Sequence, residues 1–346
     1  MSGLTIRPVR VEDDADYSAW HRVYRDAERA DRGESFVVWT EPETREALRG
    51  TGSTRVMTAW AGTVPGPDGA EQTVAWGMVE LPLRDNLTVG HVMLGVLPEH
   101  RRCGHGTALL AHLEAYCAEH GRTVLGTETS WPFELGQDPA GLPGLEFGRA
   151  RGYALELVEV QRRLALPVAP AVLDDLAASA APHHADYELR SWVGDVPDDL
   201  VGGWAVLEAS LETEAPTGGL TREPELADVQ RVREGEELFV RQGRTPYRAA
   251  ALAPDGTVVA YTEVVTTVHE PTRAYQWGTL VDRDHRGHRL GVALKVAATR
   301  LLGENQPEVR EVITWNALDN PWMVSVNEAL GFRPVECLGG LEKRTL

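Results

Sequence analysis

Two segments of this chain combine arginine, histidine and glycine in a way that could bind an anion. One runs from Val96 to Leu110 and the other from Val281 to Lys295, 185 positions further on. In each, an apolar run leads into a basic, glycine-containing turn, and a second apolar run with helical spacing follows. Such a turn presents backbone N–H groups and the positive end of a helix dipole. The pattern predicts two anion-binding cradles; the alternative is a plain strand–turn–helix whose glycines only permit a tight turn.

The elements that must position these turns are repeated in the same order. Each half is predicted to contain a strand, helices, three antiparallel strands, a helix, a strand, a helix and a last strand. The strands that lead into the turns are predicted at 88–96 and 274–281, and the helices that follow at 106–120 and 291–302. This order predicts an α+β fold, in which each half is a mixed, mostly antiparallel sheet flanked by helices.

The length of 346 residues agrees with two domains of roughly 150 residues each. We expect an N-terminal domain at 1–166, a linker at 167–185 and a C-terminal domain at 186–346. His183 and His184 are adjacent in the linker, but without a partner at ligand spacing a solvated linker is the better interpretation, and no metal site is predicted.

Composition restricts the classes of function. The formal net charge of −18 argues against a nucleic-acid surface, which needs clustered basic residues. It suits cationic or amine-bearing substrates, although solubility alone explains it equally well. The three separate cysteines indicate neither a zinc site nor a disulfide framework. The N-terminus has no basic-then-apolar leader and no apolar run approaches about 20 residues, so we expect a cytoplasmic protein without membrane contact.

The arginine–glycine turn is entered from a strand that ends in Val-x-Pro. It is followed later by an asparagine, an apolar helix and a Gly-aromatic pair, as in Leu330-Gly331-Phe332. In this order the pattern resembles the GNAT superfamily of N-acyltransferases, in a tandem two-domain form that covers nearly the whole chain. The resemblance implies an acyl-CoA site, with acetyl-CoA as the cosubstrate. Turn amides would bind the pyrophosphate, and the strand before the turn would pair with the pantetheine arm.

The resemblance assigns cofactor contacts in both copies. In the first they are Val96, Arg101, Arg102, Cys103, Gly104, His105, Gly106 and Thr107. In the second they are Val281, Arg286, Gly287, His288, Arg289, Leu290, Gly291, Val292 and Asn320.

The copies depart from the family pattern in different places. The second has Arg289 where the first of two glycines is expected, and an arginine has less backbone freedom. The first has an insertion where the second has Asn320, the position of the family's pantetheine-contacting asparagine. The tyrosine that often serves as general acid is replaced by Gly148 in one copy and Asn327 in the other.

Acyl transfer to an amine needs a base for the ammonium proton and an N–H group for the thioester carbonyl. In the second copy we expect Glu263 to be the base, with His269 and Glu270 as the next candidates. In the first copy His91 and Glu128 lie on predicted strands near the expected site. A polar residue that faces solvent is the alternative for Glu263, and a merely hydrogen-bonded histidine is the alternative for His91.

We therefore predict an acetyl-CoA-dependent N-acetyltransferase that acts on a small amine by direct acyl transfer. We expect its C-terminal half to be the catalytic one. The alternative is a catalytically silent protein that binds acyl-CoA or another small ligand, which the missing tyrosines favour. Because tandem copies can replace a dimer within one chain, either a monomer or a homodimer is compatible with the sequence.

Overall fold

The computed structural model describes residues 3–50, 52–67 and 69–345. The first half of the chain contains β1 (Thr5–Pro8), α1 (Asp14–Arg32), α2 (Glu41–Leu48), β2 (Arg55–Pro65), β3 (Glu71–Pro82), β4 (Val89–Val96), α3 (His105–Glu119), β5 (Val124–Pro132), α4 (Pro143–Arg149) and β6 (Ala154–Ala165). The second half contains α5 (Pro170–Ala180), β7 (Glu188–Val193), α6 (Val201–Glu214), α7 (Val229–Arg241), β8 (Arg244–Leu252), β9 (Val258–Thr267), β10 (Arg273–Val281), α8 (Leu290–Asn305), β11 (Glu311–Ala317), α9 (Pro321–Leu330) and β12 (Arg333–Arg344).

The chain divides into two compact units, each built from more than one segment of the sequence. Unit 1 comprises residues 1–158, 218–221 and 336–346, and unit 2 comprises residues 159–217 and 222–335. Most of β12, the last strand of the chain, therefore completes unit 1 by pairing with β5. The second half of β6 completes unit 2 by pairing with β11. The larger part of the last strand of each half of the sequence therefore belongs to the other unit.

The strand order is the same in both units. In unit 1 it is β1-β2-β3-β4-β5-β12, and in unit 2 it is β7-β8-β9-β10-β11-β6. Neighbouring strands are antiparallel except for the pairs β4–β5 and β10–β11, which are parallel. The predicted α+β class with a mixed, mostly antiparallel sheet is confirmed.

The predicted linker is partly a helix that packs onto unit 2. Within residues 167–185, α5 buries Leu173 in a cluster with Val296 and Leu302 of α8. Leu176 and Ala177, one turn further on, pack against the same cluster. Burial of this apolar face holds α5 on α8.

Local sequence accounts for the helix ends near the sites. The Asp13 side chain accepts a hydrogen bond from the Asp16 N–H at the start of α1, and the Asn320 side chain accepts one from the Met323 N–H at the start of α9. Helix α9 ends at Gly331, whose φ of +103° suits a residue without a side chain.

Candidate active site

The two basic turns have the same backbone conformation. Arg102 and Gly104 of the first turn have φ values of +62° and +84°, and the equivalent Gly287 and Arg289 of the second have +88° and +53°. Each turn thus needs two residues in the left-handed region, where glycine is least strained, and each supplies one glycine and one arginine. The expected loss of backbone freedom at Arg289 does not change the turn.

Both turns offer backbone N–H groups to a ligand. Within the described part of the chain, the N–H groups of residues 102–107 and 287–292 donate no backbone or side-chain hydrogen bond. They include the first N–H groups of α3 and α8, which have no partner inside their helices. A pyrophosphate needs such a row of donors at the positive end of a helix, so the residues present fit an acyl-CoA.

Arg101 and Arg286 stabilise the turns. Their guanidinium groups are paired with carboxylates of this chain. The Arg101 Nε donates to the Val96 carbonyl oxygen at 2.8 Å, and its guanidinium pairs with Asp31 at 2.7 Å. The Arg286 Nε donates to the Val281 carbonyl oxygen at 3.3 Å, and its guanidinium pairs with Glu214 at 2.8 Å. Each arginine therefore ties the end of a strand to the end of a helix.

The remaining side chains of the second turn are held by the segment before β7. Arg289 donates to the Ser179 hydroxyl at 3.2 Å, and the His288 Nδ1 lies 3.0 Å from the His183 carbonyl oxygen. The His285 Nδ1 lies 2.9 Å from the Tyr187 hydroxyl. His183, predicted to lie in a solvated linker, thus contacts the cradle.

The helix that follows each turn begins in different surroundings. A side chain added at Gly106 in α3 would have its Cβ 3.6 Å from the ring of Phe147. One added at Gly291 in α8 would contact only a Val281 methyl group, at 3.9 Å. In α3 the next residue, Thr107, also accepts a hydrogen bond from Arg151 at 2.6 Å. The start of α3 is therefore more closely covered by side chains than the start of α8.

In unit 2, β10 parts from β11 and has an irregular register with β9 before its turn. Its pairing with β11 stops at Tyr275. Its register with β9 then shifts, so that Trp277 and Gly278 stand opposite the single residue Glu263. This is a β-bulge, in which the extra residue is left out of the hydrogen-bonded ladder and the strand bends. In unit 1 the β4–β5 pairing also stops, at His91, but β3 and β4 pair from 75 to 80 without a shift in register.

Buried polar side chains stabilise the bulge. The Gln276 amide donates to the Glu263 carbonyl oxygen at 2.7 Å and to the Thr262 hydroxyl at 3.1 Å. The hydroxyls of Thr262 and Thr279 are 2.7 Å apart, and Thr314 of β11 donates to the Gln276 carbonyl oxygen at 3.0 Å. These bonds join the residues on both sides of the bulge.

Glu263 lies at the bulge, but its carboxylate is engaged in a buried ion pair. Its Oε2 accepts from the Arg248 Nε at 2.5 Å, and Arg248 also pairs with Glu236 of α7 at 2.5 Å. All three side chains are at least 90% buried. A carboxylate fixed in this way is a structural partner of Arg248, and its predicted role as the base stays a prediction.

His269 and Glu270 lie in the turn that joins β9 to β10. The Glu270 carboxylate accepts from the Tyr275 hydroxyl at 3.0 Å and pairs with Arg273. This turn is at the end of β10 opposite the cradle, and Arg273, which follows it, lies roughly 13 Å from Trp277 of the bulge at the usual rise of a strand. The structure therefore does not bring these two residues to the bulge.

Two residues beside the bulge were missed by the sequence analysis. Tyr261 of β9 is 2% exposed, and a Cβ added at Gly278 would meet its hydroxyl, so the phenol lies against the bulge. Burial and the nearby Glu263 carboxylate raise the pKa of Glu208, on α6, to about 7. The only signal in the sequence is that Glu208 follows Trp204 by one helical turn.

At the position of the missing tyrosine, Asn327 belongs to a buried polar network. Its side-chain oxygen accepts from the Lys295 Nζ at 2.6 Å, and its amide nitrogen donates to the Asn316 Oδ1 at 3.0 Å. Arg162 donates to the same Asn316 oxygen at 3.1 Å. Burial lowers the pKa of Lys295 to about 7. Asn320, predicted to contact pantetheine, caps α9 with its side-chain oxygen.

Comparison with known proteins identifies the fold and finds a family model that matches part of the chain. Residues 11–130 match the model of the acetyltransferase (GNAT) family. Over 99% of this chain and 98% of the other, the structure is similar to that of a tandem GNAT protein from the clavulanic acid biosynthesis pathway, with 27% identity and a TM-score of 0.75. The chain has the tandem GNAT fold, and residues 11–130 are similar to the GNAT acetyltransferase domain.

More distant structures share the fold of this tandem GNAT chain. A GCN5-related N-acetyltransferase from Sphaerobacter thermophilus has 17% identity and a TM-score of 0.66, over 99% of this chain and 95% of the other. N-myristoyltransferase from Saccharomyces cerevisiae, solved with bound myristoyl-CoA, has 12% identity and a TM-score of 0.57, over 99% and 80%. No curated protein sequence matches the chain significantly. None of the helices in the described ranges is long and apolar enough to cross a bilayer.

Proposed function

We propose that this tandem GNAT protein transfers an acetyl group from acetyl-CoA to the amine of a small molecule, and that unit 2 is its catalytic half. The family and the fold support acyl transfer in general. The choice of donor, acceptor and unit is our inference. We further propose that it acts in the cytoplasm, as a monomer or a homodimer.

The observation that carries the choice of unit 2 is the bulge at Trp277 and Gly278. It coincides with the point where β10 parts from β11, and the strand then enters a cradle with unpartnered N–H groups. We propose that the carbonyl oxygen of a thioester bound between these strands accepts a hydrogen bond from a backbone N–H of the bulge. A backbone donor fixed there would stabilise the negative charge that develops on that oxygen.

Unit 1 lacks this arrangement although its turn has both glycines of the family pattern. Its β3–β4 ladder is regular, and the space between α1 and β3 is packed with the aromatic rings of Tyr17, Trp20, Tyr24 and Trp76. Phe147 covers the start of α3. We propose that unit 1 serves as scaffold or binds acyl-CoA unproductively.

An amine acceptor suits the charges around the bulge. Burial, together with the nearby carboxylates of Glu208 and Glu263, raises the pKa of Tyr261 far above the ordinary value. The same carboxylates attract an ammonium group and disfavour an anionic acceptor.

The second candidate is a catalytically silent protein that binds acyl-CoA or another small ligand. The observation in its favour is that Asn327 and Gly148 replace the tyrosine, so neither unit has the expected donor for the leaving thiolate.

Release of CoA separates the two functions. The purified chain is mixed with acetyl-CoA and a panel of arylalkylamines, diamines, polyamines, amino acids and amino sugars. Free CoA is measured with a thiol reagent, against a protein-only blank because Cys103 is exposed. We expect one class of amine to accelerate CoA release and to yield a product heavier by one acetyl group. Binding of acetyl-CoA without release by any amine would favour the silent protein.

A further inference from the structure

The first turns of α6 place Glu208 beside the bulge. The Trp204 ring packs on Tyr261 with 4.6 Å between ring centroids, and Glu208 is one helical turn further along the same face. The Tyr261 ring in turn lies against Gly278 of the bulge. The Glu208 carboxyl therefore faces the strand at the point where the proposed acyl group would end.

Unit 1 has an aromatic residue at the equivalent position. Trp20 of α1 contacts Trp76 of β3, as Trp204 contacts Tyr261 in unit 2. One helical turn after Trp20 is Tyr24, whose ring centroid is 4.5 Å from that of Trp76. The ring that fills this space in unit 1 is thus replaced by a carboxyl group in unit 2. Core packing does not require that carboxyl.

Glu208 and Tyr261 are also unpartnered where most neighbouring polar groups are paired. In the described part of the chain, Glu208 makes no hydrogen bond or ion pair, and the hydroxyl of the 98%-buried Tyr261 makes no hydrogen bond. By contrast, the neighbouring Arg248 is shared between two carboxylates. The hydroxyl of a buried tyrosine and a partly buried carboxyl, both without protein partners, are typical of a surface that receives a polar ligand.

The charges that face Glu208 come from four segments of the chain. They are Glu263 on β9, Arg248 on β8, Glu236 on α7, and Glu225 in the segment before α7. Arg248 is neutralised by Glu263 and Glu236, and Glu225 pairs with Arg231 at 2.9 Å. Burial and the Glu263 charge raise the pKa of Glu208 to about 7, so near neutral pH it exists in both protonation states.

We propose that Glu208 is the catalytic base of unit 2 and that the acceptor is a primary amine which enters as its ammonium ion. This inference rests on the proposed function and names the residue that accepts the proton. It differs from the sequence-based candidate Glu263, whose carboxylate is already committed to Arg248.

The ammonium group gives one proton to the Glu208 carboxylate, and the freed nitrogen lone pair attacks the thioester carbonyl carbon. A C–N bond forms and the C–S bond breaks, with the bonding pair leaving on sulfur. The nitrogen gives a second proton to the leaving thiolate and keeps the third as the amide N–H. Glu208 then releases its proton to solvent.

The test measures kcat/KM between pH 5.5 and 9 with acetyl-CoA and the amine that responds best in the CoA-release screen. For the wild-type protein, kcat/KM is expected to rise with pH along a limb whose midpoint lies near pH 7. Glu208→Gln is expected to lose this limb and about 100-fold in kcat/KM at pH 7.5, while its affinity for acetyl-CoA stays unchanged. Glu208→Asp, which keeps a carboxylate, is expected to keep the limb at a lower rate.

Glu212→Gln is the matched control, because Glu212 is exposed one turn further along α6 and pairs with Arg222 at 3.1 Å. Its rate and profile are expected to match the wild type. A Glu208→Gln variant with the wild-type limb and rate would overturn the assignment while the proposed function stands. A wild-type protein that acetylates no amine would overturn both.

Discussion

Arg289 adopts at the start of α8 the left-handed backbone conformation that Gly104 adopts at the start of α3. Their φ values are +53° and +84°, and the exchange is reciprocal, because Arg102 (+62°) stands where the second turn has Gly287 (+88°). The two turns therefore direct their N–H groups alike although their glycines are at different positions.

Substitution of Arg289 tests this backbone requirement. Arg289→Val is expected to lower the free energy of unfolding by about 1–2 kcal/mol, because a β-branched residue is strained at positive φ. Arg289→Gly is expected to stay within about 1 kcal/mol of the wild type, since relief of strain offsets the added freedom of the unfolded chain. Urea unfolding of both variants measures the difference; equal stabilities would show that the left-handed conformation is not required.

The shared Arg248 ion pair predicts a large loss of stability. Arg248→Met would leave the carboxylates of Glu236 and Glu263 buried without a counter-charge, at a cost of about 3–5 kcal/mol. Arg300→Met removes an exposed pair with Asp174 and is expected to cost less than about 1 kcal/mol. Urea unfolding at pH 7.5 compares the two, and a similar small loss in both would contradict the structural role of Arg248.

Local patterns in the sequence were sufficient for much of this fold. The glycine and arginine turns, the strands that enter them and the following helices depend on short-range preferences, and α3 and α8 begin within one residue of their predicted positions. The exchange of β6 and β12 was not predictable, because the spacing of apolar residues does not specify which strand a partner joins.

The candidate site was only partly predictable for the same reason. Glu263 and the bulge are adjacent because of the register between β9 and β10, and a shift in register leaves no local mark. Glu208 becomes distinctive only when it is compared with Tyr24, the residue at the equivalent position of α1. That comparison needs the three-dimensional positions of the two helices relative to their own strands.

Lys295 predicts a pH-dependent stability. An unfolded lysine stays protonated to about pH 10.4, whereas burial lowers the pKa of Lys295 in the folded protein to about 7. Between these values the unfolded state binds more protons, so wild-type stability should rise with pH by up to about 1.4 kcal/mol per unit. Below pH 7 both states are protonated and this contribution is constant.

Lys295→Leu, which copies Leu110 of α3, should lack this contribution. Its free energy of unfolding relative to wild type is therefore expected to be most favourable at pH 6.5 and to decline steadily towards pH 9.5. Urea unfolding at one-unit intervals measures the trend. A difference that does not change with pH would show that Lys295 is protonated throughout in the folded state.

The most direct test of the central claim, that unit 2 holds the productive acyl-CoA site, is calorimetric titration of acetyl-CoA into Gly291→Trp and Gly106→Trp. Both positions accept a Cβ at ordinary contact distance, 3.9 Å and 3.6 Å from the nearest atom, so each indole would block its own cradle without straining the backbone. Gly291→Trp is expected to weaken the unit 2 site by at least ~100-fold, about 2.7 kcal/mol, and to abolish amine-dependent CoA release. Gly106→Trp is expected to keep that site and the activity. Loss of activity in Gly106→Trp with full activity in Gly291→Trp would contradict the account and place catalysis in unit 1.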